Sequence, residues 1–420
     1  MGNNIRDLKN ILLQEKTYDL LNLSLPVLTG LYVFLNPMPF PSLTEICYYL
    51  ALGILLFLLV LGKTDFTLRS PLTPPFVLFV LWTVFGLFFA LDFQNSLHDL
   101  RSHLLEYLVV FYLISNYFNT PKRFKVLAWT AIASATIFSI GALIQYYFIE
   151  GYPLTSRLGY YTFKAMHTDY IGFNTVFGIC LALYFLRNKV SAPYTIFILS
   201  CLLVMLMTTF LTQSRGSLFG LLAGLMIMGF FDKKNALILA LLAASLLLIT
   251  PGLKERTLDP NAYTKDLRIK INRLTLEVIK SFPLMGIGFG MQTYGNERVL
   301  DLQKFNRQLP TPYQQKKKIV VSPHNTLMDV AVRTGVIGLF LFLSVIAVSS
   351  GMLWKIFKTA KDDFFRSWSL CLAACLLSFM IPALFADTTF GPKAVVFYTM
   401  LAMINILWQI AHDDRPPAQT

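Results

Sequence analysis

The sequence predicts an all-α, polytopic membrane protein of about 12 transmembrane helices with one large, partly helical loop on the outer face. Three observations carry that expectation. Of the 420 residues, 55% are hydrophobic and only 14% are charged, more apolar side chain than a soluble chain of this length can bury. The apolar residues come in long blocks, each able to cross or nearly cross a bilayer. The lysines and arginines fall between the blocks, in loops that alternate between basic-rich and basic-poor.

The blocks run Leu20–Leu35, Leu43–Leu61, Pro75–Leu91, Leu104–Tyr117, Val126–Ile149, Tyr170–Leu186, Pro193–Phe210, Ser217–Phe231, Ala236–Thr250, Gly335–Trp354, Trp368–Phe385 and Ala394–Ile410. The fourth is short and carries Glu106, which implies a tilted helix or one packed against protein. The amino terminus, MGNNIRDLKN, lacks the apolar core and small-residue cleavage site of a signal peptide, so the first span is expected to act as its own targeting signal. The chain divides into residues 1–250 (nine spans with short loops), 251–323 (the large loop) and 324–420 (three spans and a tail).

Orientation follows from the loops. With the amino terminus in the cytoplasm, Arg6, Lys9, Lys16, Lys63, Arg69, Lys122, Arg123, Lys125, Arg187, Lys189, Lys233, Lys234, Lys355, Lys358, Lys361, Arg366 and Arg415 fall inside. The opposite short loops then hold only Arg101, Arg157, Lys164, Arg215 and Lys393. This asymmetry is what the positive-inside rule demands, and it puts both termini in the cytoplasm and the large loop outside. The net charge of +13 is explained by that punctuation plus one basic loop, so a nucleic-acid partner is not expected. Nucleotide-activated donors are absent from that outer face, so an enzyme working there must use a donor already carried by membrane lipid.

The large loop is patterned. Its first part, Asp266 to Phe282, places Leu267, Ile271, Leu274 and Val278 at helical spacing, with Arg268 and Arg273 on other faces. Pro283 stops that helix, and Gly286, Gly288 and Gly290 follow as a tight turn folding the loop back. No strand–turn–helix context surrounds them, so a nucleotide-cradling loop is not implied. The stretch from Asn296 to Ser322 is basic and rich in Gln and Pro, and reads as a mobile cover rather than a second core. The loop carries 13 Lys and Arg against 6 Asp and Glu, a field that attracts anions.

Candidate chemistry gathers where these outer loops meet the spans. In SPHNTLMDVAVRTGVIG, His324 stands between a cationic segment and a membrane helix. Imidazole is the side chain whose ordinary titration lies closest to neutrality, so a base is in place. Asn325 equally suits a helix N-cap. Arg215 and Gly216 lie between two spans, where a guanidinium either snorkels or grips a phosphate bidentately. Arg268 sits on the loop helix. Arg157 and His167 lie in the loop after the fifth span, and Asp387 at an outer helix end either orients His324 or caps. The five cysteines fall inside spans without His or acid partners, which implies neither disulfide nor metal site. No Asp-x-Asp lies on the outer face, and there is no P-loop, Gly-x-Ser-x-Gly elbow, internal repeat or run of intramembrane acids. No metal or cofactor is expected.

These pieces, in this order, resemble the O-antigen ligase and polymerase superfamily of polytopic, GT-C-like glycosyltransferases. The resemblance lies in Arg215-Gly216 after a span, in the helix from Arg268 ending Pro283-Leu-Met-Gly286-Ile-Gly288, and in His324-Asn325 before Gly335-Val-Ile-Gly338. The chain departs from the family pattern at Asn272, where an aromatic is frequent, and at Lys164-Ala-Met-His167, where a Pro-Asn pair is frequent. The resemblance implies an active site on the periplasmic face of the bacterial inner membrane. There a glycan such as O-antigen would pass from undecaprenyl diphosphate to a sugar hydroxyl of lipid A–core oligosaccharide, inverting and without a metal. In that scheme His324 is the base, Arg215 and Arg268 hold the diphosphate, Arg157 assists in donor binding, and Asn325, Asp387 and His167 support. The alternatives are an O-antigen polymerase joining lipid-linked repeats and a non-enzymatic flippase of lipid-linked glycans.

Overall fold

The computed structural model describes residues 2–159, 168–187, 191–229, 267–316 and 319–412. Within them the chain is helical, with no strand. In order the helices are α1 (Gly2–Leu35), α2 (Pro41–Val60), α3 (Thr73–Gly86), α4 (Phe93–Asp99), α5 (Glu106–Tyr117), α6 (Pro121–Leu143), α7 (Thr168–Arg187), α8 (Ala192–Leu211) and α9 (Arg215–Met228). Two loop helices follow, α10 (Leu267–Ser281) and α11 (Leu302–Gln308), and then α12 (Thr326–Thr359), α13 (Asp363–Ala383) and α14 (Gly391–His412). A wider turn over Leu100–Leu105 joins α4 to α5, so the short fourth block continues a longer helical stretch that begins at Phe93.

Among the described residues, eight helices are long and apolar enough to cross a membrane, and Thr73–Phe89 and Arg215–Met228 are shorter apolar helices. The expected span Ala236–Thr250 lies outside the described residues. Helix starts are written in the sequence. Pro occupies the first turn of α2, α3, α6 and α8, where its missing N–H costs nothing. Thr120, Ser214, Asn325 and Asp362 cap α6, α9, α12 and α13 with their side chains, each such cap being worth about 0.5–2 kcal/mol.

The loops gather at two ends of the bundle. At one end Leu91 N donates to Ile287 O (3.0 Å), Asn36 Nδ2 to Pro392 O (2.9 Å) and Arg157 Nε to Thr212 O (2.8 Å). At the other, Arg187 pairs with Asp363 (3.6 Å), Lys125 lies over Phe364 (5.5 Å) and Ser70 Oγ donates to Asn405 Oδ1 (2.6 Å).

α12 departs from expectation. The span predicted to begin at Gly335 is preceded by a mostly buried helical stretch from Thr326 to Thr334, and the helix breaks at Gly335, where φ is 71° and ψ −179°. A broken helix inside a membrane protein frees carbonyls that must find donors. Here they find the glycine-rich segment. Ile287 N donates to Val332 O (2.9 Å), Gly288 N to Arg333 O (3.1 Å), Val336 N to Pro283 O (2.8 Å), and Trp82 Nε1 to Thr334 O (2.8 Å). Pro283 to Gly290 is thus more than a turn: it is docked into the break. Only glycine fits at 335, because a Cβ there would stand 1.8 Å from Leu284 O.

The stretch from Asn296 to Ser322 is not a simple cover. Leu300, Leu302, Leu309 and Ile319 join Tyr294, Leu274, Val278, Ile287 and Val332 in a core of their own. Asn306 and Gln315 tie that stretch together, Gln315 N donating to Asn306 Oδ1 (2.9 Å) and Asn306 Nδ2 to Gln315 O (3.2 Å). The loop therefore packs as a small domain on the first turns of α12.

Candidate active site

Arg215 is held by the way α8 gives over to α9. After α8 the chain turns through Gln213, a non-glycine residue with φ 48°, and Ser214 caps α9 by accepting from Ser217 N (3.4 Å). The loop after α6 clasps this turn. Gln213 Nε2 donates to Thr155 O (3.2 Å), Leu158 N to Leu211 O (2.8 Å), and Arg157 Nε to Thr212 O (2.8 Å). On α9 itself Gly216, Gly220 and Gly224 face α13. A Cβ would lie 3.3 Å from Pro382 at Gly216, 2.4 Å from Ser378 O at Gly220, and 2.1 Å from Ser378 Oγ at Gly224. Without hydrophobic drive between helices in lipid, such a stripe lets backbones touch. It seats half-buried Arg215 against the C-terminal end of α13, where Leu384 and Phe385 stand.

Arg268 reaches the same place from the loop. Leu274 and Val278 are buried in the loop core and Ile271 is buried on the same face, which fixes the rotation of α10. Arg268 then lies over the Phe385 ring, its guanidinium carbon 5.5 Å from the centroid.

His324 arrives from the third side. Asn325 caps α12, accepting from Leu327 N (3.0 Å) and Met328 N (3.2 Å), so its capping role is realised. Capping forces the turn before it, and His324 takes φ 47°. Gln213 and His324 are the non-glycine residues with positive φ among those described, and each adjoins this site. Such backbone costs about 1–3 kcal/mol per residue and gathers at functional positions. His324 Nδ1 lies 3.9 Å from Asp387 Oδ2, and Ser322 Oγ donates to that same oxygen. Asp387 Oδ1 is buried, with no hydrogen-bond partner among the described residues.

Arg215, Gly216, Phe219, Arg268, Asn272 and His324 line one cavity of about 150 Å³, floored by Leu384 and Phe385. The arrangement is two guanidinia and one imidazole over an apolar, aromatic floor at the end of the helix bundle. Such a surface suits an anion whose other part is apolar, because Arg forms charge-assisted bonds to phosphate while the rings take hydrocarbon.

The structure brings Arg215, Arg268 and His324 together, with Asp387 behind the histidine. Arg157 does not line the cavity; its bond to Thr212 fastens the turn that carries Arg215. Asn325 serves the helix end, and His167 lies outside the described residues. Sequence reading passed over Asn272 as a lining group. It also passed over Asp329 and Arg333, one helical turn apart in α12. Arg333 is 2% exposed. It pairs with Asp329 Oδ2 (3.0 Å), donates to Phe289 O (2.9 Å) and Thr389 Oγ1 (2.9 Å), and lies 3.9 Å from the Phe390 ring centroid. An arginine four residues after an aspartate, just before an apolar block, was the available signal.

Fold and cavity define a multi-pass membrane protein with an arginine–histidine site at one end of its bundle. Residues 200–343 match the family model described as O-antigen ligase, a stretch that contains α9, the loop and the broken start of α12. An O-antigen ligase from Pseudomonas aeruginosa is 26% identical over 315 residues, covering 71% of this chain and 69% of the relative. The chain is thus similar to O-antigen ligases over the stretch that builds this cavity.

Proposed function

We propose that this protein is an O-antigen ligase, transferring a glycan from undecaprenyl diphosphate to a sugar hydroxyl of lipid A–core oligosaccharide on the periplasmic face of the bacterial inner membrane. Both termini are then cytoplasmic, as the loop charges argue, and residues 251–323 form the outer domain between two sets of spans. The observation that carries the reading is that Arg215, Arg268 and His324 line a single cavity.

In this reaction the acceptor oxygen bonds to the anomeric carbon as that carbon's bond to the phosphate oxygen breaks. Negative charge grows on the departing diphosphate, and Arg215 and Arg268 receive it. Preorganised donors of this kind lower the barrier because they need no rearrangement as charge develops, and each charge-assisted bond is worth about 1.5–3 kcal/mol. The acceptor proton passes to His324. With Nδ1 turned toward Asp387, Nε2 is the nitrogen offered to the acceptor, and the ion pair with Asp387 strengthens as the imidazolium forms. Attack from the face opposite the diphosphate inverts the anomeric centre.

The test is direct mixing of donor lipid with purified lipid A–core and the purified protein. Glycan joined to core supports the assignment. Elongation of lipid-linked repeats without transfer to core makes the protein a polymerase, and translocation of donor lipid with no bond made makes it a flippase.

A further inference from the structure

The end of the bundle opposite the arginine–histidine cavity holds a second, larger cavity, of about 520 Å³. It lies where α6, α8 and α13 begin and α7 ends. Lys125 and Arg187 supply two positive charges to its wall. Arg187 donates to Ser367 Oγ and stands 3.6 Å from Asp363, whose side chain is 78% exposed. Three helix N-termini converge here, each carrying partial positive charge. Ser191, at the start of α8, does not cap that helix with its side chain. Thr120 and Asp362 cap α6 and α13, so the pull on anions comes from Lys125, Arg187 and the uncapped start of α8.

The remaining wall is aromatic. Trp129, Tyr184, Tyr194 and Phe364 line it, and buried Trp368 stacks behind Tyr184 at 3.7 Å. Trp and Tyr at helix ends are a feature of bilayer interfaces. The outer surface beside the cavity is apolar and uncovered: Val126 is 52% exposed, Ile196 64% and Phe197 56%, with Phe197 against Trp129 (6.0 Å). A dissolved anion has no use for that surface, whereas an acyl chain does.

We propose that this cavity binds the phosphate headgroup of an anionic phospholipid, its chains lying on Val126, Ile196 and Phe197. Basic pockets between helices at this leaflet are suited to such headgroups. The bound lipid ties the end of α7 to the starts of α6, α8 and α13, and is independent of the transfer site.

The experiment is a thermal melt of the detergent-purified full chain, titrated separately with phosphatidylglycerol, phosphatidylcholine and inorganic phosphate. Saturable stabilisation by phosphatidylglycerol alone is expected. Lys125→Gln should weaken it roughly tenfold, the size of one charge-assisted contact. Asp363→Asn should tighten it, since the competing acid is gone, and Lys361→Gln, which alters an exposed lysine at the same end, should leave it unchanged. Equal stabilisation by phosphatidylcholine or by inorganic phosphate overturns the proposal. So does an unaltered response in Lys125→Gln, weaker binding in Asp363→Asn, or a loss in Lys361→Gln as large as in Lys125→Gln.

Discussion

Replacing Gly335 by alanine should detach the large loop from the bundle while leaving the spans in place. Two costs are imposed at one position. A side chain at φ 71° and ψ −179° strains the backbone by about 1–3 kcal/mol. The new Cβ would also stand 1.8 Å from Leu284 O and 2.8 Å from Met285 N, both main-chain atoms that cannot swing aside. Relief requires the Pro283–Gly288 segment to retreat. That breaks the bonds from Val336 N to Pro283 O, Ile287 N to Val332 O and Gly288 N to Arg333 O, each worth about 0.5–1.5 kcal/mol. Together the penalty is about 3–7 kcal/mol, enough to free the loop from α12. Hydrogen exchange read by mass spectrometry should show faster exchange across 283–290. Transfer of glycan should fall with it, because Arg268 rides on the same loop. Gly351→Ala in the same helix meets nothing within 4 Å and should change neither reading. Wild-type exchange in Gly335→Ala would refute the clamp.

Gly220→Ala places a Cβ 2.4 Å from Ser378 O and should push α9 from α13, costing about a hundredfold in transfer as Arg215 shifts by an ångström; Gly141→Ala, with open space around it, is the neutral comparison in a reconstituted assay. Arg333→Met should destabilise the chain by about 3–5 kcal/mol because Asp329 is left buried without its partner, and the double variant with Asp329→Leu should recover most of the loss in a thermal melt. Burial pushes the Tyr294 phenol up to about 12, against an unfolded value near 10. The loop therefore keeps this contribution below pH 10 and loses it as the pH rises toward 12. Loop exchange should accelerate in that window, and Tyr294→Phe should remove the pH dependence. Thr275 Oγ1 still donates to Ile271 O (2.9 Å) in that variant.

What the sequence made legible was local. Lipid demands uninterrupted apolar length, so the spans announce themselves. The period of α10 is visible because Ile271, Leu274 and Val278 recur on one face, and Asn325 looked like a cap and caps. Long-range features left no period to read. The docking of Pro283–Gly290 into the broken α12 joins main-chain groups some fifty residues apart through atoms every residue has. Leu300, Leu302 and Leu309 are scattered among charges, and their burial depends on partners in α10 and α12. Two missed features were readable. Gly216, Gly220 and Gly224 recur every four residues, and Asp329 and Arg333 are one turn apart. At the candidate site, residue type and order suggested Arg215, Arg268 and His324, but only the structure puts one cavity wall around all three. Arg157 carried the same type signal and does not line that cavity; its Nε donates to Thr212 O.

A double-mutant cycle on Arg268 and His324, in a reconstituted transfer reaction, asks most directly whether these groups act on one substrate at one centre. Residues that work as a unit are strongly non-additive. Arg268→Gln with His324→Ala should be about as impaired as the worse single variant, and donor lipid should still bind to His324→Ala. Losses that simply multiply, or full transfer by His324→Ala, would contradict the account.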